Sequence, residues 1–159
     1  MPDTYDIVIA GGGMVGVSLA LQLAAVLPPK TSILLVEGFP IPAPTPGQTP
    51  GYHPAFDARS TALSYSSRLI YERMQVWDDL SQWLCPIESI HVSSRGRFGS
   101  TLLRASDHNW AALGYVVENS WLGNTLIQQL HRSGRIEVRS PARVVGAAPG
   151  SSGVRLQLE

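Results

Sequence analysis

A glycine-rich turn between two apolar stretches constrains this chain more than any other feature. Residues 11–16 read Gly-Gly-Gly-Met-Val-Gly and match the spacing G-x-G-x-x-G. An apolar stretch at 5–10 precedes the turn, and residues 14–26 and 32–36 follow it as an apolar helix and a second apolar strand. Near-continuous apolar strands are typical of a parallel sheet that is buried on both faces. The pattern predicts a βαβ unit of the dinucleotide-binding type, and therefore an α/β fold.

Each glycine of the turn has a predicted role. Gly11 lets the chain turn sharply off the strand, Gly13 lets the backbone approach a pyrophosphate closely, and Gly16 lets the helix pack tightly on the strand. The helix begins at Met14 and Val15, where unpaired N–H groups and the positive end of the helix dipole would face phosphate groups. We therefore predict that this turn and the first turn of the helix hold the phosphates of a cofactor.

Glu37 ends the second apolar strand and completes the pattern. An acidic residue roughly 20 positions after such a fingerprint accepts hydrogen bonds from the ribose of a dinucleotide, and Glu37 lies 21 residues after Gly16. Because the turn follows a strand, opens a helix and is followed by this carboxylate, the sequence predicts a true dinucleotide site. The alternative is a glycine-rich turn that binds no ligand.

The composition indicates a folded domain without the signature of a nucleic-acid-binding protein. The 159 residues are 44% hydrophobic and 15% charged, and 12 basic residues balance 12 acidic ones. Such a chain can build a single core, and it has no basic excess to suit a nucleic acid. Its apolar runs are far shorter than the roughly 20 residues of a membrane span. We expect a cytoplasmic location, with any contact to the inner membrane being peripheral.

Cysteine and histidine give no sign of a metal site. Cys85 is the single cysteine, and the four histidines are widely spaced. No intramolecular disulfide can form, and no metal-ligand cluster is predicted. We expect Cys85 to be a buried, inert thiol. No residue of the chain is nominated as a catalytic acid, base or nucleophile.

The first half of the chain also contains a long loop and a second helical region. Residues 38–56 are rich in proline and glycine and predict a loop, which is either functional or, for residues 40–52, a poorly ordered surface excursion. A strand up to residue 63 should lead into one long helix over 66–84, capped near Ser64 or Ser66. The predicted apolar face of that helix is Ile70, Met74, Trp77, Leu80 and Leu84. The predicted apolar stripe of the earlier helix is Val15, Leu19, Leu23 and Val26, with Ala20 and Ala24 allowing close packing.

The second half alternates short strands with one helix. Residues 87–94 and 98–105 predict a half-buried hairpin around a turn at 95–97. A strand over 115–118 runs into a helix over 120–132, for which Asn119 and Ser120 are good N-cap residues. The remaining predicted strands are 135–139, 142–147 and 154–158.

Three stretches of the sequence resemble one family. They are the glycine turn with Glu37, the segment Phe56-Asp57-Ala58-Arg59-Ser60-Thr61-Ala62-Leu63-Ser64, and the segment from Ile90 to Gly99. The chain resembles the N-terminal part of the FAD-dependent aromatic hydroxylases, and within them the ubiquinone-biosynthesis branch. The resemblance implies an incomplete Rossmann-like FAD-binding domain of the glutathione-reductase-like type. Residues 1–159 would be its N-terminal part, and the hairpin at 87–105 would belong to the sheet of the substrate domain.

The resemblance also implies roles for single residues. Glu37 would bind the adenosine ribose of FAD, and Arg59 would lie near the ribose and pyrophosphate, where a planar, always-charged donor suits a diphosphate. The alternative for Arg59 is a surface ion pair with Asp57. Asn119 would reach the ribityl chain, with a plain N-cap as its alternative. Val144 would pack by the adenine, with a core-strand role as its alternative.

The chain departs from the family in length and in one motif. Family members continue into a Gly-Asp motif that contacts the flavin and into a substrate domain, and no Gly-Asp dipeptide occurs in residues 1–159. We therefore expect an N-terminal fragment that does not turn over by itself. The complete enzyme would use FAD with NADH or NADPH to hydroxylate a phenol or quinone precursor that carries a polyprenyl tail. It could also contact a membrane or a biosynthetic complex.

Two other functions use the same fold or turn. One is a nicotinamide-binding dehydrogenase domain, which Arg59 and the proline-rich segment disfavour. The other is a non-enzymatic nucleotide-binding module. On any of these interpretations, an incomplete parallel sheet leaves an unpaired edge and uncovered apolar surface, so we also predict self-association.

Overall fold

The computed structural model describes residues 4–42 and 57–159. Its strands in chain order are β1 (Ile7–Ala10), β2 (Ile33–Val36), β3 (Ser60–Ser64), β4 (Cys85–Ile87), β5 (Ser89–Ser93), β6 (Ser100–Arg104), β7 (Gly114–Glu118), β8 (Ile136–Arg139), β9 (Val144–Gly150) and β10 (Gly153–Leu158). Its helices are α1 (Met14–Val26), α2 (Tyr65–Arg73), α3 (Trp77–Ser81) and α4 (Asn119–Ser133), with a 3-10 turn at Ala105–His108. Most of the predicted proline-rich loop lies outside the described residues, as does Phe56; residues 38–42 form no helix or strand.

A three-stranded parallel sheet in the order β1-β2-β8 carries the predicted βαβ unit. β1 continues through α1 into β2, and the register pairs Ile7 with Ile33 and Ala10 with Val36. All four residues of the central strand β2 are buried, which is why its sequence is apolar throughout. The βαβ prediction is confirmed, with α1 spanning the predicted residues 14–26.

The predicted stripe of α1 is wrong for three of its four residues, while Leu23 is half-buried against the core and the predicted close packing of Ala20 and Ala24 is confirmed. Val15, Leu19 and Val26 are exposed, at 84%, 45% and 77% of their surface. The buried residues of the helix are Val17, Ala20, Leu21 and Ala24. Nearly every position of α1 is apolar, so spacing alone does not select a face. The side that contains the small residues faces the core, where small side chains allow close packing.

Helix α4 packs against α1. Arg135, just beyond the end of α4, donates hydrogen bonds to three carbonyls at the end of α1: Ala24, Leu27 (3.2 Å) and Pro28 (2.8 Å). Each helix leads into a parallel strand of the same sheet, α1 into β2 and α4 into β8. The N-termini of both helices therefore lie at the carboxyl edge of the strands, where open α/β sheets bind their ligands.

A second sheet, in the order β3-β7-β4, is antiparallel and places the segment before β3 beside the start of α4. Ser60 pairs with Glu118, the last residue of β7, and Ser64 pairs with Gly114 at the other end. Because α4 begins directly after Glu118, the residues just before Ser60 lie against the N-terminus of α4.

The long helix predicted over 66–84 is two helices. α2 ends at Arg73, and Gln75 takes a positive φ of 57°, so the chain changes direction before α3 begins. Ser64 caps α2 as expected, because its hydroxyl accepts a hydrogen bond from the Ser67 N–H (3.2 Å). Met74 and Leu80 are buried, but Ile70 is exposed. The apolar spacing continues across the break, and for this reason the sequence indicates one helix.

The predicted hairpin is present, but it is not half-buried. β5 and β6 pair in antiparallel register with Ile90 opposite Leu103, and every residue of both strands is exposed. Its assignment to a substrate domain stays a prediction. Cys85 is likewise exposed, contrary to the expected buried thiol. It lies on β4, which pairs only with β7 at the edge of its sheet.

The last two strands, β9 and β10, form an antiparallel hairpin. Val144 at its start pairs with Leu158, and Arg143 exchanges two backbone hydrogen bonds with Glu159 (2.8 and 2.9 Å). None of the helices within residues 4–42 and 57–159 is long and apolar enough to cross a bilayer.

Candidate functional site

The glycine turn connects β1 to α1 in the geometry that its sequence predicts. Gly11 has a φ of +110°, in the region that favours glycine, and its N–H donates to the Val36 carbonyl (2.7 Å). A Cβ atom on Gly16 would lie 1.8 Å from the Gly11 carbonyl oxygen. Helix α1 can approach the turn only because residue 16 is glycine. The predicted conformational roles of Gly11 and Gly16 are confirmed.

The first turn of α1 directly follows the glycine turn. Gly13 occupies the N-cap position with extended backbone, and no side chain in the described residues caps the helix. The first backbone hydrogen bond of the helix runs from the Val17 N–H to the Gly13 carbonyl (3.0 Å). The N–H groups of Met14, Val15 and Gly16 precede that bond, so they can donate to an anion at the positive end of the helix.

Glu37 lies against the glycine turn. Its Oε2 accepts a hydrogen bond from the Gly12 N–H (2.5 Å), and its Oε1 accepts one from the Phe39 N–H (2.8 Å). The side chain is buried, with 8% of its surface exposed. These two contacts fix the carboxylate beside the turn, where a carboxylate of this kind accepts hydrogen bonds from a ribose. The structure brings Glu37 and the fingerprint together, as the sequence predicts.

Arg59 and Asp57 form the ion pair that was the alternative interpretation for Arg59. The Arg59 Nε donates to Asp57 Oδ2 (2.7 Å), and the Arg59 backbone N–H donates to Asp57 Oδ1 (3.0 Å). The Arg59 side chain is still 79% exposed, and neither of its terminal nitrogens bonds to a described residue. The ion pair therefore orients the guanidinium without using its two NH₂ groups. Hydrogen bonds from the Arg59 backbone, and then from its side chain, lower the pKa of Asp57, while desolvation opposes them.

Asn119 is the first residue of α4 and is buried below this ion pair. Its Oδ1 accepts a hydrogen bond from the Thr61 hydroxyl (2.6 Å), and its Nδ2 donates to Asp57 Oδ1 (3.4 Å). The N-cap alternative for Asn119 is wrong, because Glu118 occupies the cap position. The Asp57 carbonyl accepts the Ser120 N–H (3.0 Å) in place of a capping side chain.

The two groups of residues lie at the same edge of the parallel sheet. Glu37 and the glycine turn follow β2 and β1, and the Arg59 group lies at the N-terminus of α4. The segment before Val144 contacts Glu37: the Ala142 N–H donates a hydrogen bond to the Glu37 carbonyl (2.8 Å). Val144 is half-buried at the start of β9, so its predicted contact with an adenine stays a prediction.

Sequence reasoning missed the network that holds Arg59. Asp57 was considered only as an ion-pair partner, and Thr61 was not considered. An aspartate two residues before an arginine is a signal for a side-chain-to-backbone turn of this kind. The contact from Thr61 to Asn119 spans 58 residues, and no local pattern indicates it.

The donor and acceptor groups present fit an adenine dinucleotide. Open N–H groups at a helix N-terminus and an oriented guanidinium suit a pyrophosphate, and a fixed carboxylate beside the turn suits a ribose diol. The arrangement binds and orients a ligand. It offers no paired acid and base for chemistry among the residues that it brings together.

No protein-family model matches the chain. Its fold is shared with the flavin-dependent monooxygenase PieE, whose crystal structure contains FAD and substrate. The similarity has a TM-score of 0.69 at 16% identity and covers 99% of this chain and 27% of PieE. The chain therefore shares the fold of part of this monooxygenase, and the predicted α/β fold class is confirmed.

Sequence comparison finds relatives that are named as hydroxylases of ubiquinone or demethoxyubiquinol. The chain is 28% identical over 153 residues to ubiquinone hydroxylase UbiL of Rhodospirillum rubrum, covering 96% of the chain and 33% of UbiL. It is 29% identical over 140 residues to the 3-demethoxyubiquinol 3-hydroxylase of Escherichia coli, covering 88% and 34%. The chain thus spans about a third of the length of these relatives, and the resemblance stated from the sequence is confirmed.

Proposed function

We propose that this chain supplies the ADP-binding part of an FAD site in a flavin-dependent monooxygenase of ubiquinone biosynthesis. The observation that carries the proposal is the contact of the Glu37 carboxylate with Gly12 beside the open N-terminus of α1. The relatives in ubiquinone biosynthesis support the reaction class. The substrate would be a phenol or quinone precursor with a polyprenyl tail, as for 2-octaprenyl-6-methoxyphenol hydroxylase, which the sequence resembles.

The proposed roles follow the geometry of the site. The backbone of Gly11, Gly13, Met14, Val15 and Gly16 would hold the pyrophosphate. A second set would contact the rest of the cofactor: Glu37 at the adenosine ribose, Arg59 at the ribose and pyrophosphate, Asn119 toward the ribityl chain and Val144 at the adenine. Bound FAD, reduced by NADH or NADPH, would supply the chemistry that activates oxygen. The residues of this chain would bind the cofactor, orient it and cover its phosphates.

Titration of the purified chain with FAD, ADP and NAD⁺ tests the proposal. We expect FAD and ADP to bind at one site and compete with each other, and Glu37→Ala to weaken both by about 10-fold or more, since a charged hydrogen bond contributes about 1.5–3 kcal/mol. NAD⁺ should bind more weakly than FAD. Tighter binding of NAD⁺ would favour a dehydrogenase domain instead, and no binding of either nucleotide would overturn the proposal.

Hydroxylation is expected to require residues outside those assigned here. The chain contains no Gly-Asp dipeptide and no assigned acid or base. We therefore propose that the 159-residue chain binds FAD but does not hydroxylate phenols when NADPH is added. Release of a hydroxylated phenol by the purified chain, detected by mass spectrometry, would contradict this part of the proposal.

The exposed hairpin and the exposed face of α1 support two further parts of the proposal. We propose that the β5–β6 hairpin belongs to the sheet of a substrate domain, and that the chain by itself self-associates through uncovered apolar surface. Peripheral contact with the inner membrane or with a biosynthetic complex is proposed for the complete enzyme. Light scattering over a range of concentrations tests self-association, and a constant monomeric mass would contradict it.

A further inference from the structure

We infer that Asp57 is a positioning residue that holds Arg59 ready for the phosphates of the ligand. The inference rests on the proposed function. Asp57 contacts Arg59 twice, once at the backbone N–H (3.0 Å) and once at Nε (2.7 Å). The first contact is at the backbone and the second is at the inner nitrogen Nε, so neither contact uses the terminal NH₂ groups. The two terminal NH₂ groups, which form the fork that binds phosphate oxygens, remain available.

The position of Asp57 is itself fixed from the core side. Its carbonyl accepts the Ser120 N–H (3.0 Å), and the Arg59 carbonyl accepts the Asn119 N–H (2.8 Å). The Thr61 hydroxyl donates to Oδ1 of the buried Asn119 (2.6 Å) and so orients its amide. The Nδ2 of Asn119 then donates to Asp57 Oδ1 (3.4 Å). The 57–59 segment is therefore attached to the N-terminus of α4 at both ends. The orientation of an exposed arginine is thus set by a buried network.

The energetic effect of this arrangement is preorganisation. An unrestrained arginine side chain loses about 1.5–2 kcal/mol of rotamer entropy when it is fixed by a ligand, which corresponds to roughly 10-fold in affinity. Asp57 restricts the side chain before the ligand arrives. Asp57 also carries a negative charge beside a site for anions, and that charge by itself would weaken phosphate binding. The two effects have opposite signs, so a substitution separates them.

Asp57→Asn is the informative variant. Asparagine keeps an oxygen that can accept the Arg59 backbone N–H, but it removes the charged partner of Nε. If Asp57 positions Arg59, this variant should bind ADP about 10-fold more weakly, although a negative charge has been removed. Binding of adenosine, which has no phosphate, should be unchanged. Arg59→Gln should weaken ADP binding by a similar or larger factor, and the double variant should be no weaker than Arg59→Gln alone.

Asp79→Asn is the matched control, because Asp79 forms an exposed ion pair with Arg132 away from this edge of the sheet. It should leave ADP binding unchanged. Calorimetric titration of the variants with ADP and adenosine, with thermal unfolding to show that each is folded, gives the result. Unchanged or tighter ADP binding by Asp57→Asn, or equal losses for ADP and adenosine, would overturn the inference while leaving the proposed function intact. Failure of the unsubstituted chain to bind ADP would overturn both.

Discussion

The Glu37 carboxylate lies 2.5 Å from the Gly12 backbone nitrogen, although 25 residues separate them in the chain. The contact joins the ends of β1 and β2 at the carboxyl edge of the sheet. It also leaves no room for a side chain at position 12, where a Cβ would lie 2.8 Å from Glu37 Cβ and 3.0 Å from Cγ. Gly12 therefore fixes the proposed ribose acceptor Glu37 in two ways: its N–H binds the carboxylate, and its lack of a side chain leaves room for Glu37.

Gly12→Ala should displace Glu37 and weaken ADP binding. The buried Glu37 side chain must shift to admit the new methyl group, and its hydrogen bond with the position-12 N–H is lost or lengthened. We expect about a 10-fold lower affinity, from the worth of one charged hydrogen bond, as measured by calorimetry. Gly38→Ala is the local control, because its Cβ would be 3.6 Å from the nearest atom, Arg143 Nε. Equal affinities of the two variants would contradict the prediction.

Gly16→Ala should reduce stability rather than binding alone. The added Cβ would be 1.8 Å from the Gly11 carbonyl oxygen, and this backbone atom cannot move without shifting β1. Overpacking of this kind costs typically about 1–3 kcal/mol, so the urea midpoint should fall clearly. Gly146→Ala, whose nearest contact would be an ordinary 3.6 Å to Gln157, should unfold at nearly the midpoint of the unsubstituted chain. A Gly16→Ala midpoint equal to this control would show that the helix can move away.

Arg135, which follows helix α4, should contribute to the stability of the fold. It donates to the Ala24, Leu27 and Pro28 carbonyls and so closes the open C-terminus of α1. Arg135→Met keeps much of the apolar stem and removes these bonds, and we expect a loss of about 1.5–3 kcal/mol in the free energy of unfolding.

Arg132→Met is the matched comparison for Arg135→Met. Among the described residues, the side chain of Arg132 pairs with Asp79 alone, in an exposed ion pair, and such pairs contribute roughly 0–1 kcal/mol. Denaturant unfolding of both variants gives the comparison. Equal losses of unfolding free energy in the two variants would mean that water replaces the hydrogen bonds from Arg135 to the α1 carbonyls without a cost.

The sequence predicts the parts of this fold that local geometry determines. Gly11 and Gly16 are required by the backbone of one short turn, so their spacing is visible in the chain. The buried face of α1 is not predictable in the same way, because the helix is apolar on nearly all sides and its orientation depends on the sheet. Arg135 contacts carbonyls more than 100 residues earlier, and no periodicity reports such a contact. Asp57 lies between these cases, since its spacing from Arg59 is local but the Asn119 network that fixes it is not.

Cys85 should react in the folded protein. The expected buried thiol is exposed on the edge strand β4, so no unfolding is needed for a reagent to reach it. A disulfide reagent that releases a coloured thiolate should label one thiol per chain without denaturant, at a rate close to that in urea. Cys85→Ser should release no colour. Labelling that requires denaturant would contradict the exposed position.

Stability in acid should depend on Asp6 at the amino edge of the sheet. Its Oδ2 accepts hydrogen bonds from the Ser32 N–H and hydroxyl, both 2.8 Å, which joins β1 to β2. The backbone N–H first, and then the hydroxyl, lower the pKa of Asp6 below its ordinary value of 3.8. The folded chain therefore binds this proton less tightly than the unfolded chain. The stabilisation is complete above the ordinary pKa and is lost as the pH falls through the lowered one.

Asp6→Asn should therefore unfold more easily than the unsubstituted chain at neutral pH, and the difference should shrink as the pH falls below 3.8. Ser32→Ala keeps the backbone N–H, which is the larger of the two causes of the lowered pKa, so it should retain most of the pH dependence. Urea midpoints measured from neutral pH into the acid range for the three proteins provide the comparison. A constant difference between Asp6→Asn and the unsubstituted chain at every pH would show that the contribution of Asp6 does not depend on its charge.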